Sequence, residues 1–196
     1  MFKKMFITFL FFLNIQSEVF GLSNFVVRRY FKHFYKLQVS CNIDIGSICE
    51  QIAYIEKKNK FKLGRYKIYQ NVSYHSKDKT IGELDLIVFD KRKRVVKEVI
   101  EVKCSKDISS AASKSNAQLK RFKRHLKYKD NKLPEIYFKS CNNILQVHHF
   151  TKYTRFSKLT YKSVLAQTLG FELLSLGLSD MQYLTNKWNN NELPSL

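Results

Sequence analysis

The chain predicts a mixed α/β fold, an α+β arrangement in which a central mixed sheet is flanked by helices. Three observations predict it. The stretch GELDLIVFDKRKRVVKEVIEVKCS, residues 82–105, holds two apolar runs of strand character joined by a basic turn. Ile45, Ile48, Ile52 and Ile55 recur at helical spacing on one face. At 196 residues, with 44% hydrophobic and 14% aromatic content, the chain can bury one full core and is too short to expect two domains.

The elements follow in order. Residues 1–21 open with Lys3 and Lys4, run through the apolar MFITFLFFL and reach Gly21, the pattern of a secretory signal peptide. The run falls short of the roughly twenty apolar residues that cross a bilayer. The alternative is an N-terminal apolar helix; cleavage would make the protein secreted, and its absence intracellular. Residues 24–38 mix aromatic and basic side chains as a helix, and Asp44 caps a second helix that carries Glu50 and breaks near 60–64. Residues 66–75 alternate as a strand, and the hairpin follows with DKRKR (90–94) as its turn. Residues 107–128 form a long helix with a Ser-rich entry and a basic later half, stopped by Pro134. EIYFKS (135–140) and NILQVHHF (143–150) read as two further strands, and Val164, Leu165, Leu169, Leu173, Leu174 and Leu176 as the apolar set of one or two closing helices. Residues 22–150 are thus the core, and 151–196 a C-terminal helical extension of the same domain.

The formal net charge of +19 is self-repelling in a compact chain unless something anionic offsets it. Nucleic acid is the commonest such partner, because each neutralised phosphate releases a counterion. The alternative is a solvated surface in a lysine-rich composition. Cys41, Cys49, Cys104 and Cys141 show no CxxC spacing, which argues against zinc. They are expected as reduced small hydrophobes, with disulfides only in an exported protein. No phosphate-cradling glycine loop and no nucleophile–base spacing is present.

The hairpin carries the chemistry. Alternation puts Glu101 and Lys103 on one face of the second strand, and Glu83 and Asp85 on one face of the first. A turn centred near Lys93 sets Asp85 opposite Glu101. Facing carboxylates repel, and burial adds a desolvation penalty of several kcal/mol per ion. Lys103 relieves part of this; a divalent cation, Mg²⁺ or Mn²⁺, relieves more. The competing reading is a salt-bridged, solvent-facing edge hairpin.

Four features in order, a helical Glu50, GELD with Asp85, EVK with Glu101-Val102-Lys103, and a helical Gln118, resemble the PD-(D/E)XK nuclease superfamily. The likeness is greatest to its Holliday-junction-resolvase-like and restriction-endonuclease-like members, and covers about residues 44–150. Leu84 stands where many members have proline before the acidic residue, and Glu83 is a second candidate for Asp85's role. The resemblance implies a restriction-endonuclease-like core and Mg²⁺-dependent phosphodiester hydrolysis, with DNA as the expected substrate and a homodimer as one form. Asp85 and Glu101 would hold Mg²⁺ with the Val102 carbonyl as third ligand, and Lys103 would orient the attacking water and stabilise charge on the phosphate. Glu50 would complete the site, and Gln118 would fix the substrate backbone or Lys103. Lys114, Lys120, Arg121, Lys123, Arg124 and Lys127 would then lie along a phosphate backbone. His148 and His149 are assigned no role. The alternatives are a non-catalytic basic nucleic-acid-binding protein on the same scaffold and an exported interaction protein.

Overall fold

Side-chain caps start the first two helices. Helix α1 (Asn24–Lys36) begins where Ser23 Oγ accepts from the Val26 N–H at 3.4 Å. Helix α2 (Ile45–Lys60) begins where Asp44 Oδ1 accepts from the Ser47 N–H at 2.7 Å, the cap expected of Asp44. The computed structural model describes residues 22–40, 42–62, 64–76, 79–127, 136–138 and 145–192. The apolar leader expected at 1–21, together with Cys41 and Cys141, lies outside them.

Three antiparallel strands follow: β1 (Tyr66–Ser76), β2 (Lys79–Asp90) and β3 (Val95–Val102). The β2–β3 turn is locked by Asp90, whose Oδ1 accepts from the Arg92 and Lys93 N–H groups while Arg65 forks onto Oδ2. Arg94 closes it in the left-handed region, at φ 54°. Val88 pairs with Glu98 but Phe89 with Val96, so Lys97 is the extra residue of a bulge.

Helix α3 (Ile108–Lys127) returns across the sheet. Strand β4 (Ile136–Phe138) adds antiparallel to β1. Strand β5 (Arg155–Thr160) then pairs parallel with β3. A short α4 (Val164–Thr168) leads to β6 (Glu172–Leu173), parallel with β5, and α5 (Leu178–Asn189) closes the chain. The sheet is mixed, six strands in the order β4-β1-β2-β3-β5-β6, with helices on both faces. This is the predicted fold class.

Both faces are buried. On one, Phe31, Phe34, Ile48 and Ile52 pack with Leu86, Val88 and Ile100, and Trp188 of α5 meets Phe31 and Phe34 edge-on at 5.2 and 5.3 Å. On the other, Leu119 and Phe122 of α3 cover Ile87, Val99 and Phe138.

The C-terminal third departs from expectation. Residues 143–150 do not form a strand where they are described: Val147–His149 is a single 3₁₀ turn, and Gln146 N–H donates to His149 Nδ1 at 3.0 Å. The sheet is instead continued by β5 and β6, from the segment expected to be helical. RFSKLT hides as a strand because its polar side chains are satisfied individually. Ser157 Oγ donates to Glu98 Oε1 at 2.6 Å, and Lys158 Nζ to the Leu169 carbonyl at 2.8 Å. The expected apolar helical set also divides. Leu174 and Leu176 are core and Leu173 lies in β6, whereas Val164 is 81% exposed on α4.

Candidate functional site

The site forms where the β2–β3 ladder ends. Leu86 is the Cα partner of Ile100, so Asp85 and Glu101 are the next residues out on the two strands, in the expected register. There the Asp85 side chain replaces a ladder carbonyl, its Oδ2 accepting from the Val102 N–H at 2.6 Å. Asp85 is 7% exposed and Glu101 fully buried, while Glu83 is exposed. Burial therefore separates the two acidic candidates on β2 in favour of Asp85. The reading of a solvent-facing hairpin does not hold.

Gly82 of GELD is a packing requirement. It pairs with Tyr74 of β1, and a Cβ there would come within 2.4 Å of the Tyr74 hydroxyl.

Lys103, one residue past β3, points back at the carboxylates. Its Nζ lies 2.5 Å from Glu101 Oε1, 3.5 Å from Asp85 Oδ2 and 3.2 Å from the Val102 carbonyl oxygen. Those are the three oxygens expected to ligate a cation, and one ammonium already sits among them. Even so, neither Glu101 oxygen has a hydrogen bond of sound geometry among the described residues.

The electrostatics follow. Desolvation pushes the Glu101 carboxyl up to about 8, helped by the Asp85 charge, and raises Asp85 as well. Burial would lower Lys103, but Asp85 and Glu101 outweigh it and hold the ammonium above its ordinary value. Glu50 on α2 belongs to the same field: burial first and Asp85 second raise it to about 7. It opens on a cleft of about 460 Å³ shared with Ser47, Gln51 and Asn71. Gln118 stands on α3, facing β2. Its side-chain amide donates to the Glu83 carbonyl at 3.2 Å, clamping α3 to β2 beside Asp85.

Do these groups suit a divalent cation? Asp85, Glu101 and the Val102 carbonyl are hard oxygen donors converging on one point, where the Lys103 ammonium now sits. They fit Mg²⁺ or Mn²⁺. Among the described residues no three His, Cys, Asp or Glu side chains gather for a metal.

Sequence reasoning missed two features. A disulfide joins Cys49 to Cys104, with Cα atoms 6.2 Å apart, correcting the expectation of reduced thiols. It links the residue before Glu50 to the residue after Lys103. The second is a buried ion network. Glu98 accepts from Lys57 at 3.1 Å, from Arg155 and from Ser157, and Lys57 and Arg155 also meet Glu172. Burial alone would raise the Glu98 carboxyl, but Ser157, Lys57 and Arg155 together hold it below the ordinary range. Its sequence trace was a carboxylate inside VVKEVIEV, overshadowed by Glu101.

The six basic residues expected to meet phosphate, Lys114, Lys120, Arg121, Lys123, Arg124 and Lys127, are all exposed on α3. Lys120 and Lys123 border a cleft of about 420 Å³ that also takes in Lys158 of β5, the Cα partner of Glu101. His149 is buried against Phe89, a packed histidine outside the site.

No family model, curated protein or solved structure matches the chain.

Proposed function

We propose that the protein is a Mg²⁺-dependent nuclease that hydrolyses phosphodiester bonds in DNA, a PD-(D/E)XK-like enzyme. The observation that carries this reading is the convergence of Asp85 Oδ2, Glu101 Oε1 and the Val102 carbonyl on Lys103 Nζ at a buried strand end. Two carboxylates placed there cost a fold desolvation and mutual repulsion that one ammonium, Lys103, offsets only in part. A non-catalytic binder would gain nothing from keeping two carboxylates buried at one strand end.

A bound divalent ion supplies a water of lowered pKa and neutralises charge at the scissile phosphate. The chain's own groups supply the rest. Asp85 and Glu101 would hold the ion against the sheet, and Asp85 is itself fixed by the Val102 N–H. Lys103 Nζ, about a third exposed, would turn outward were an ion held between the carboxylates. From there it donates to a non-bridging phosphate oxygen, where negative charge grows during attack. Glu50, raised to about 7, would accept a proton from the attacking water in its ionised form. The exposed cations of α3 neutralise flanking phosphates and set the strand's direction across the site.

The test is a cleavage panel of duplex, single-stranded and four-way-junction DNA, and of RNA, with Mg²⁺, Mn²⁺ or EDTA. Metal-dependent cutting of a DNA substrate is expected. Cutting that persists in EDTA, or none on any substrate, removes the assignment.

A further inference from the structure

The Cys49–Cys104 bond lies between two residues the nuclease reading uses. Cys49 precedes Glu50 on α2 and Cys104 follows Lys103 beyond β3, so one covalent link sets the spacing between the helix and the strand that carry the site. The rest of α2 is held without it. Ile48, Ile52 and Ile55 are buried in the core, and Lys57 is anchored to Glu98 of β3 at 3.1 Å. Thus α2 is tied to β3 twice, by an ion pair towards its C-terminal end and by the disulfide at the end carrying Glu50.

We propose that Cys49 and Cys104 form a redox switch on this site, the disulfide state being the competent one; this rests on the nuclease reading. The two sulfurs differ in access: Cys49 is fully buried and Cys104 half-buried. A dithiol reductant therefore attacks Cys104 Sγ, forming a mixed disulfide and releasing Cys49 as the leaving thiol. The reductant's second thiol then closes its own ring disulfide and releases Cys104. Two electrons and two protons pass from the dithiol to the protein, which gains two thiols. The first turns of α2 then keep their packing and the Gln70–Gln51 hydrogen bond to β1, Glu50 loses its fixed distance from Asp85 and Glu101, and the Lys57–Glu98 anchor keeps the fold intact. Cys49 and Cys104 are positioning residues: neither touches substrate.

The experiment compares air-oxidised full-length protein with the same protein in dithiothreitol, reading three quantities. Non-reducing peptide mapping identifies the 49–104 cross-link. Hydrogen exchange follows amides 45–52 against 55–60. Mg²⁺-dependent plasmid cleavage follows the site. The expected result is a cross-linked oxidised form, at least ten-fold faster exchange at 45–52 alone on reduction, and a fall in cleavage of ten-fold or more. Cys49→Ala/Cys104→Ser should behave like reduced wild type and ignore dithiothreitol, which excludes Cys41 and Cys141 as the cause. Should that double variant not fold, Cys104→Ser alone serves. Free thiols at 49 and 104 in the oxidised sample, or cleavage unchanged by reduction, overturns the switch and leaves the nuclease reading standing. No cleavage in either state overturns the nuclease reading and the switch with it, even where the cross-link is found.

Discussion

Glu98 and Glu101 lie three residues apart on β3, both essentially inaccessible, and the protein treats them oppositely. Glu98 receives hydrogen bonds from Lys57, Arg155 and Ser157 and is held ionised. Glu101 has Lys103 beside it at 2.5 Å, no sound hydrogen bond among the described residues, and a carboxyl pushed up to about 8. One strand thus shows what this fold does with a carboxylate kept for structure, and how far Glu101 departs from it.

That departure has a pH signature in metal-free protein. Glu101 and Glu50 hold their protons in the folded state up to about 8 and 7, while the unfolded chain releases them near its ordinary carboxylate values. Between those limits the native state binds more protons, so this contribution to stability is present at low pH and is lost as pH rises towards 8. Glu101→Gln should remove part of the slope and leave the variant more stable than wild type at pH 8, by about 1 kcal/mol or more, roughly 2–4 °C in Tm. Thermal melts at pH 5, 6.5 and 8 in EDTA check it. Parallel pH dependences in the two proteins would place an ordinary carboxylate at Glu101.

Lys103 should oppose ion binding while assisting catalysis. Its ammonium contacts the same three oxygens a cation needs, so Lys103→Met should leave Mn²⁺ affinity unchanged or raise it several-fold, while cleavage falls at least a hundred-fold. Calorimetric titration with Mn²⁺ alongside a cleavage assay separates the two. Affinity falling in step with cleavage would mean that Lys103 merely holds the site together.

The Glu98 network should behave as structure. Lys57→Met removes one buried partner but leaves Arg155 and Ser157 on Glu98, so a loss of about 1–3 kcal/mol is expected. Urea unfolding measures it. A neutral result would show that Arg155 and Ser157 suffice.

The exposed cations on α3 should contribute through phosphate alone. Lys120→Ala and Lys123→Ala should each weaken duplex binding similarly across sequences, and each reduce the slope of log affinity against log salt by about 1. Fluorescence anisotropy at several salt concentrations reads this directly. An unchanged slope would place the DNA elsewhere.

The sequence made the first half of the fold legible because its signals were strong and local. Asp44 capped its helix, the isoleucines of α2 kept their period, and the 90–94 turn centred the hairpin well enough to set Asp85 against Glu101. It failed where tertiary partners satisfy polar residues. In β5, Arg155, Ser157 and Lys158 look unfit for an interior strand until Glu98 and the Leu169 carbonyl are seen to receive them. In 143–150, apolar residues that suggested a strand pack from a turn, as buried Leu145 does. Cys49 and Cys104 lie 55 residues apart in sequence, and nothing local indicates that α2 and the end of β3 bring them together.

The proposed function requires Asp85, Glu101 and Lys103 to form one metal-dependent hydrolytic centre. The most direct measurement is cleavage of supercoiled plasmid DNA in Mg²⁺ by wild type and Lys103→Ala, both verified as folded by near-UV circular dichroism. Nicked and linear product is expected with wild type, none in EDTA, and at least a hundred-fold slower cutting by the variant. Equal cutting by the two proteins would contradict it.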